Sequence, residues 1–291
     1  MTDFFTYIIY FTTLISSVLL LKLGAKPTSS GITRKRNVIF IFTSLFILVI
    51  VAGLRYNVGE DYIGYSFLFR EQPFLAESSG VNIEYGFVLL VVLLSQLKLG
   101  VWSFFFTSAL ITYTLLFLSF KNYRQLLYLG VFFFITYGFY FFSFNGVRQG
   151  IAMSALALSI TFVQKRQLLP FLSTIFLGGL MHKSLFLFFP IYFIIDRIKL
   201  PQLFWYSAFF LAIIIHFVPV SDIIDTTYLS NLLSETPVDY SGFASSMTSN
   251  KAGEFSLGYM IRLYIGFFIL SYYPRLIKVN ESCLENFNIY L

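Results

Sequence analysis

The chain has 291 residues, of which 57% are hydrophobic and only 12% charged, whereas a soluble domain averages about 25% charged residues. With a mean hydropathy of +0.78, this composition predicts a polytopic membrane protein and excludes a soluble globular domain, because the hydrophilic stretches are too short to bury a core. The net charge of +6 indicates basic loops that orient the chain in a membrane and attract lipid, rather than nucleic-acid binding. The single cysteine, Cys283, excludes an intramolecular disulfide.

Apolar segments that approach the roughly 20 residues needed to cross a bilayer follow one another along the chain. In chain order they are 4–21, 38–54, 101–120, 126–144, 146–163, 203–220 and 256–274. Three shorter apolar runs lie between them, at 85–97, 168–181 and 184–195. We therefore predict an all-α fold, a polytopic membrane helical bundle of about 9–10 transmembrane or half-membrane helices. The bundle is predicted to form one integral-membrane domain over residues 1–291.

Basic residues in the short loops predict how the bundle is oriented. Loop 22–37 carries five basic residues and no acid, so it is predicted to be cytoplasmic and the N-terminus external. Loops 55–84 and 221–255 are rich in acids and are predicted to be external. The later basic loops are cytoplasmic in this orientation only if run 85–97 re-enters the membrane or lies in its interface. If this run crossed the membrane fully, every later loop would lie on the opposite side. This orientation places four candidate residues in the outer half of the membrane: Arg55, Arg148, His182 and Arg262.

The first polar motif follows the second predicted helix and runs from Gly53 to Tyr65 as GLRYNVGEDYIGY. Arg55 has a planar guanidinium whose donors match a phosphate or pyrophosphate. Asp61 and Tyr65 are four residues apart and share one face if the segment is helical. Asp61 is therefore a candidate general base or a group that orients a sugar hydroxyl. The alternative is an interfacial belt of arginine and tyrosine side chains at headgroup level.

The second motif, NGVRQGIA, opens a helix at residues 145–152. Asn145, Arg148 and Gln149 have the spacing i, i+3 and i+4, which predicts three polar groups on one helix face beside an N-terminus that attracts anions. The alternatives are that Asn145 is only the N-cap and that Arg148 extends toward the headgroups. A binding role is favoured for Arg148, because a cation in the first turn opposes the helix dipole.

The third motif is the turn Met181-His182-Lys183-Ser184 between two short apolar runs. His182 is a candidate for donating or accepting a proton, or for binding phosphate. The alternative is a turn histidine held by backbone carbonyls. Arg262, about two turns into the last predicted helix, is a further candidate, since an arginine within a membrane loses its charge only at a large cost in free energy. The sequence has no Walker A, C-x-x-C or H-E-x-x-H motif, so we predict no metal site and no cofactor.

These motifs, in this order, resemble the EpsG family of Wzy-type polysaccharide polymerases. The family pattern G-x-R-Y-x-x-G-x-D-Y-x-x-Y is matched by Gly53–Tyr65, and N-x-x-R-Q-x-x-A is matched by Asn145–Ala152. The pattern H-x-[ST] is matched by His182–Ser184. Position 60 departs from the family, with Glu60 where a small hydroxyl residue is usual. The resemblance covers residues 1–275, approximately.

The resemblance implies a metal-independent membrane glycosyltransferase of the GT-C type in the bacterial cytoplasmic membrane. Such an enzyme joins undecaprenyl-pyrophosphate-linked oligosaccharides into capsular, exo- or O-antigen polysaccharide at the outer leaflet, with lipid pyrophosphate as the leaving group. The implied catalytic residue is Asp61 or His182, which deprotonates the acceptor hydroxyl. The implied substrate-binding residues, with the arginines on pyrophosphate, are Arg55, Tyr65, Asn145, Arg148, Gln149 and Arg262. The implied partners are membrane lipids, a flippase and a chain-length regulator.

Two other functional classes are weighed against the polymerase. A lipid-linked oligosaccharide flippase of the same pathway is the main alternative, but it predicts internal repeats and polar groups at the bilayer midplane, whereas this sequence shows no repeat. A membrane acyltransferase would need a histidine that faces the cytosol, and His182 is predicted to face outward. The chain is short for the family and stops at 286–291, where another apolar helix begins, which leaves truncation of the final helices open.

Overall fold

The computed structural model describes residues 3–25, 31–71, 83–194, 201–217 and 259–272, and every regular element in these ranges is helical. The prediction of an all-α bundle is therefore confirmed. In chain order the α-helices are α1 (Asp3–Gly24), α2 (Gly31–Gly53), α3 (Tyr62–Glu71), α4 (Tyr85–Gln96), α5 (Val101–Ser119), α6 (Leu127–Thr136), α7 (Phe139–Asn145), α8 (Val147–Gln164), α9 (Leu168–Met181), α10 (Ile191–Ile194), α11 (Gln202–Phe217) and α12 (Tyr259–Tyr272). Two 3-10 helices precede α6 and α10, at Arg124–Leu126 and Lys183–Phe188.

Within the described ranges, two helices are long and apolar enough to cross a membrane, Phe4–Gly24 and Val101–Ser119. The predicted span 126–144 is not one straight helix, because α6 and α7 meet at a bend of 56°. The hydrogen-bond ladder of α6 ends where the N–H of Gly138 donates to the Ile135 carbonyl over 3.0 Å. A new ladder begins where the Phe142 N–H donates to the Gly138 carbonyl over 2.8 Å. The bent pair counts as a third span only if its two pieces cross together.

The chain divides into two compact units, Met1–Ile195 and Asp196–Leu291. In the first unit, α7 is fixed to its neighbours by two fully buried tyrosines whose hydroxyl groups are satisfied. The Tyr140 hydroxyl donates to the Leu48 carbonyl of α2 over 3.1 Å, and the Tyr113 hydroxyl of α5 lies 2.9 Å from Ser143 Oγ. Buried phenols normally need such partners. These contacts set the position at which α7 ends and the polar junction with α8 begins.

A second buried cluster joins α3, α4, α5 and the start of α8, and it is largely aromatic. Tyr65, Phe87 and Phe104 pack with ring centroids 5.6–5.8 Å apart, and Val147 completes the cluster. Helix α4 has 12 residues and is therefore about 18 Å long, which is shorter than the roughly 30 Å hydrocarbon layer. This length is compatible with the predicted non-spanning segment 85–97, and its depth in a membrane stays a prediction.

Helix α4 approaches α9 closely because Gly86 has no side chain. A Cβ at Gly86 would lie 2.7 Å from the Leu180 Cβ and 2.8 Å from the Leu180 carbonyl oxygen, distances that side chains do not tolerate. The residue before α4 is therefore held beside the residue after α9. These two residues are Glu84 and His182.

The second unit is described through α11 and α12. The Gln202 amide donates to the Leu270 carbonyl over 3.5 Å, and the Phe209 and Phe267 rings pack with centroids 6.4 Å apart. Predicted loop 221–255 lies outside the described residues. The prediction of a single membrane domain, and that of an external N-terminus, stay predictions.

Candidate functional site

Polar side chains from four chain segments meet at one end of the first unit. The segments are the turn after α2, the residue before α4, the junction of α7 with α8, and the junction of α9 with the following 3-10 helix. The sequence predicted three of them, through Arg55, Arg148 and His182. It missed the fourth, which is Glu84.

The carboxylate of Glu84 joins the second motif to the third. Its Oε2 accepts a hydrogen bond from Arg148 Nη1 over 2.5 Å, and its Oε1 lies 2.9 Å from His182 Nδ1. The backbone N–H of Lys183 also donates to Oε1, over 3.3 Å. The side chain of Glu84 is only 9% exposed. A partly buried carboxylate with three donors is a strong anchor, because a charge-assisted bond is shorter and stronger than a neutral one.

The local sequence explains why Glu84 is free to make these contacts. It occupies the N-cap position of α4 with extended backbone, but its side chain makes no capping hydrogen bond. A carboxylate at a helix N-terminus is favoured by the helix dipole. The side chain therefore gains from its position on α4 while its oxygens bond to residues of other helices.

The pKa of the Glu84 carboxyl lies below its ordinary value. Burial acts to raise this pKa, but the Arg148 cation and backbone N–H donors, including that of Lys183, outweigh burial and favour the charged form. Glu84 is therefore ionised at neutral pH.

His182 is held between Glu84 and Gln149. It ends α9 and precedes the 3-10 helix with extended backbone, at φ −155 and ψ 112. An ionised carboxylate only accepts hydrogen bonds, so Nδ1 carries a proton and, in the neutral ring, Nε2 keeps its lone pair. Nε2 lies 3.3 Å from Gln149 Nε2. The alternative of a histidine held by backbone carbonyls is wrong, since the described partners of the ring are side chains.

A cavity of about 120 Å³ lies against this histidine. Its polar end is formed by Gln149, His182 and Ser184. The rest of its wall is apolar and comes from α8 and the 3-10 helix, through Ala152, Met153, Leu156, Leu185 and Phe188. A ligand that reaches His182 Nε2 through this cavity therefore meets a mostly apolar wall and a small polar end.

Arg148 is the second residue of α8 and keeps part of its guanidinium accessible. Its side chain is 29% exposed although it pairs with Glu84, and it lies 5.5 Å from the centroid of the Phe87 ring. The first N–H groups of α8 have no partner within their helix, so the arginine adds its charge to an end that already favours anions. Tyr65 is close by: burial raises the pKa of its phenol, and the Arg148 cation opposes that rise.

Arg55 is turned inward rather than toward an open site. The residue is 9% exposed, and its guanidinium donates to three backbone carbonyls, those of Ala52 at 2.5 Å, Phe144 at 2.9 Å and Val58 at 3.3 Å. It also lies over the Phe105 and Phe144 rings, at 4.3 and 4.9 Å from their centroids. Arg55 therefore fastens the turn after α2 to the end of α7.

Asn145 lies at this same junction, but not where the spacing predicted. It is the last residue of α7, and Gly146 takes the N-cap position of α8. The N-cap alternative for Asn145 is therefore wrong, and so is the prediction that it shares a face of α8 with Arg148. Its Oδ1 is buried and has no hydrogen-bond partner among the described residues. Gly59, at φ 99, packs against this atom: a Cβ there would lie 2.5 Å from Asn145 Oδ1.

Two predicted residues do not join the described cluster. Asp61 is exposed at the start of α3, where its backbone carbonyl accepts the Tyr65 N–H over 3.0 Å. That bond confirms the helical spacing of the pair, yet Tyr65 is buried and Asp61 points to the surface. Arg262 lies on α12, in the second unit, and its substrate-binding role stays a prediction. In the part of the chain that the structure describes, no three His, Cys, Asp or Glu side chains are placed to hold a metal ion.

The sequence did carry one signal for Glu84. The residue stands directly before an apolar run of 12 residues that forms α4. A carboxylate at the start of a short apolar helix is costly near a membrane unless it has partners. Its partners are an arginine and a histidine, 64 and 98 positions later in the chain, and only folding brings the three residues together.

Comparison with known protein families shows which family this chain belongs to. The model of the EpsG family matches residues 38–291, which is most of the chain, and this confirms the resemblance drawn from the three motifs. No curated protein matches, and no solved structure matches.

Proposed function

Because the chain belongs to the EpsG family, we propose that it polymerises polysaccharide by joining repeat units carried on undecaprenyl pyrophosphate. The family comprises membrane proteins of the polysaccharide-polymerase type, and it implies a lipid-linked saccharide as substrate. The proposal adds the lipid carrier, the outer leaflet of the bacterial cytoplasmic membrane and the residues that act. The observation that carries it is the Glu84 carboxylate, which holds a cation and a histidine in one cluster.

The reaction needs a base and a cation. A hydroxyl oxygen of the acceptor saccharide attacks the anomeric carbon of the donor, and the bond from that carbon to the pyrophosphate oxygen breaks. The hydroxyl proton passes to a base, and the electron pair of the broken bond leaves on the lipid pyrophosphate. Charge grows on the leaving group, so a cation beside it lowers the barrier.

His182 is assigned as the base. With Nδ1–H directed at Glu84, its Nε2 is the acceptor, and Nε2 faces Gln149 at the polar end of the cavity. A carboxylate that fixes the tautomer and orientation of a histidine is a recurring arrangement in base catalysis. Asp61 is the weaker candidate of the two predicted catalytic residues, because its exposed side chain is not held by a described residue.

Arg148 is assigned to the leaving pyrophosphate. Its guanidinium is partly accessible and stands at the N-terminus of α8, while Glu84 keeps it in place. Gln149, whose amide lies beside the His182 ring, and Tyr65, whose phenol interacts with the Arg148 cation, are assigned to substrate contact. Arg55, with three donors engaged by carbonyls, is assigned a supporting role, and Arg262 remains a proposed pyrophosphate contact.

The test is a chain-length profile of surface glycan in a deletion strain that expresses each variant. Arg148→Ala and His182→Ala are each expected to abolish long-chain glycan while single lipid-linked units remain on the outer leaflet. Arg70→Ala removes an exposed arginine of α3 outside the cluster and serves as the matched control, expected to give wild-type chains.

Three outcomes contradict the proposal. Normal chain length in both cluster variants, with protein levels equal to wild type, would remove the assigned roles. Loss of long chains in Arg70→Ala would show that the phenotype reports lost charge in general. Accumulation of lipid-linked units in the inner leaflet would show that the protein acts as a flippase instead.

A further inference from the structure

We propose that the first unit binds an anionic phospholipid in a groove at the end of the bundle remote from the candidate site. The groove has a volume of about 250 Å³ and lies between α2 and α5, and residues at the start of α6 complete its lining. Its lining is Val38, Ile41, Phe42, Leu45, Thr114, Phe117, Leu118, Lys121, Arg124 and Leu127.

The position of the groove follows from helix geometry. The groove residues of α2, from Val38 to Leu45, lie 15 to 8 residues before the end of the helix at Gly53, so the groove is about 12–22 Å along the helix from the turn that holds Arg55. In α5, Phe105 contacts Arg55 in the first half, whereas Leu118 lines the groove at the end. The groove is therefore separate from the Glu84 cluster.

The chemistry of the groove fits a lipid with an anionic headgroup. Its walls are almost wholly apolar and suit an acyl chain, while its one charged end carries two exposed cations, Lys121 and Arg124. No acidic side chain belongs to its lining, and neither cation forms an ion pair with a residue that the structure describes. Basic pockets between membrane helices are a known means of holding phospholipid phosphate.

A role in helix capping does not account for both cations. Lys121 follows the C-terminus of α5, where a positive charge is favoured by the dipole. Arg124 opens the following 3-10 helix, an end where a positive charge is not favoured. Since both stand at the same end of the same groove, a shared anion explains the pair better than two separate local effects.

The occupant is assigned as a phospholipid rather than a free phosphate ion, because the apolar walls extend over two turns of α2, from Val38 to Leu45. An inorganic phosphate would use only the two cations and leave that surface without a function. An acyl chain covers it and brings the phosphate to Lys121 and Arg124 at once.

The test titrates the purified full chain in detergent with dioleoyl phosphatidylglycerol or dioleoyl phosphatidylcholine and counts bound lipids by native mass spectrometry. Wild type is expected to bind phosphatidylglycerol more tightly than phosphatidylcholine. The double variant K121Q/R124Q is expected to weaken phosphatidylglycerol binding roughly 25-fold, about fivefold for each cation, with phosphatidylcholine binding unchanged.

The matched control, K98Q/K165Q, removes two exposed lysines outside the groove and is expected to bind as wild type does. Equal binding of the two lipids by wild type, or unchanged phosphatidylglycerol binding in K121Q/R124Q, would overturn the proposal. So would an equal loss in K98Q/K165Q, which would show attraction to surface charge alone. Displacement of the lipid by glycerol phosphate, which has the headgroup without acyl chains, would show that the site selects the anion and not the lipid.

Discussion

Replacement of Arg55 by alanine tests whether this arginine supports the fold or grips the substrate. The family resemblance implied a pyrophosphate contact, whereas the structure shows a buried guanidinium that donates to the carbonyls of Ala52, Val58 and Phe144. The two roles predict different results. A supporting residue lowers stability when it is removed, whereas a substrate contact lowers activity and leaves stability almost unchanged.

The size of the expected loss follows from the contacts. A hydrogen bond from a charged donor contributes about 1.5–3 kcal/mol, and a cation over an aromatic ring contributes about 0.5–1 kcal/mol or more. Arg55 makes three such bonds and lies over two rings. These contributions overlap, and the freed carbonyls recover some water at the turn. We therefore expect Arg55→Ala to lower the free energy of unfolding by roughly 3–5 kcal/mol.

The assay is SDS denaturation in mixed micelles followed by circular dichroism, run beside the glycan chain-length profile. Arg55→Lys is expected to recover about half of the loss, because an ammonium keeps the charge but cannot reach three carbonyls with a planar fork. Arg70→Ala, at an exposed position of α3, is the control and is expected to stay within about 0.5 kcal/mol of wild type. If Arg55→Ala keeps wild-type stability and still loses long-chain glycan, the supporting role is refuted and the substrate contact is correct.

Three further predictions concern the turn after α2 and the Glu84 cluster. Gly59→Ala is expected to destabilise the protein by roughly 1–3 kcal/mol in the same SDS titration, because a Cβ at φ 99 would lie 2.5 Å from Asn145 Oδ1. Gly64→Ala is its control: no atom lies within 4 Å of the added Cβ, so this helical position should be neutral or slightly stabilised, and equal losses in both variants would contradict the argument. Glu84→Gln is expected to slow glycan polymerisation in a membrane assay roughly 10- to 100-fold with the fold retained, because a neutral amide no longer fixes the His182 tautomer; wild-type rates would remove the positioning role. The pKa of Glu84 is lowered from 4.5, so the stability that its charged form contributes is present above that pH and is lost as the pH falls through the lowered pKa. The difference in thermal midpoint between wild type and Glu84→Gln is therefore expected to shrink as the pH falls through this acidic range. A difference that stays constant with pH would contradict the argument.

Prediction from the sequence succeeded where one local property decides the structure. Long apolar segments with few charges must satisfy their backbone groups internally, so they form helices in a membrane whatever their neighbours are. Arg148 and His182 stood out for the same energetic reason, because a polar group among apolar residues is costly unless it has a role. The structure places both beside Glu84, and their roles stay predictions.

The errors share a cause as well. Hydropathy does not show the direction of a helix axis, so the bend of 56° at Gly138 within the apolar segment 126–144 was missed, while the span predicted there stays a prediction. The spacing of Asn145 assumed that this residue lies at the start of the helix of Arg148, whereas Asn145 ends α7 and Gly146 separates the two helices. Each error concerns where one helix stops and the next begins, which depends on packing against α2 and α5.

The sequence by itself determined that this protein is a helical membrane protein of the EpsG family and singled out Arg148 and His182 as candidate site residues, because composition and short motifs carry that information locally. Only the tertiary structure decided what these residues contact. Glu84 pairs with them across 64 and 98 positions of the chain because Gly86 lets α4 approach α9. Arg55 turns inward because the end of α7 brings the Phe144 carbonyl within 2.9 Å of its guanidinium. Contacts between residues so distant in the chain arise from the packing of whole helices, which no local pattern encodes.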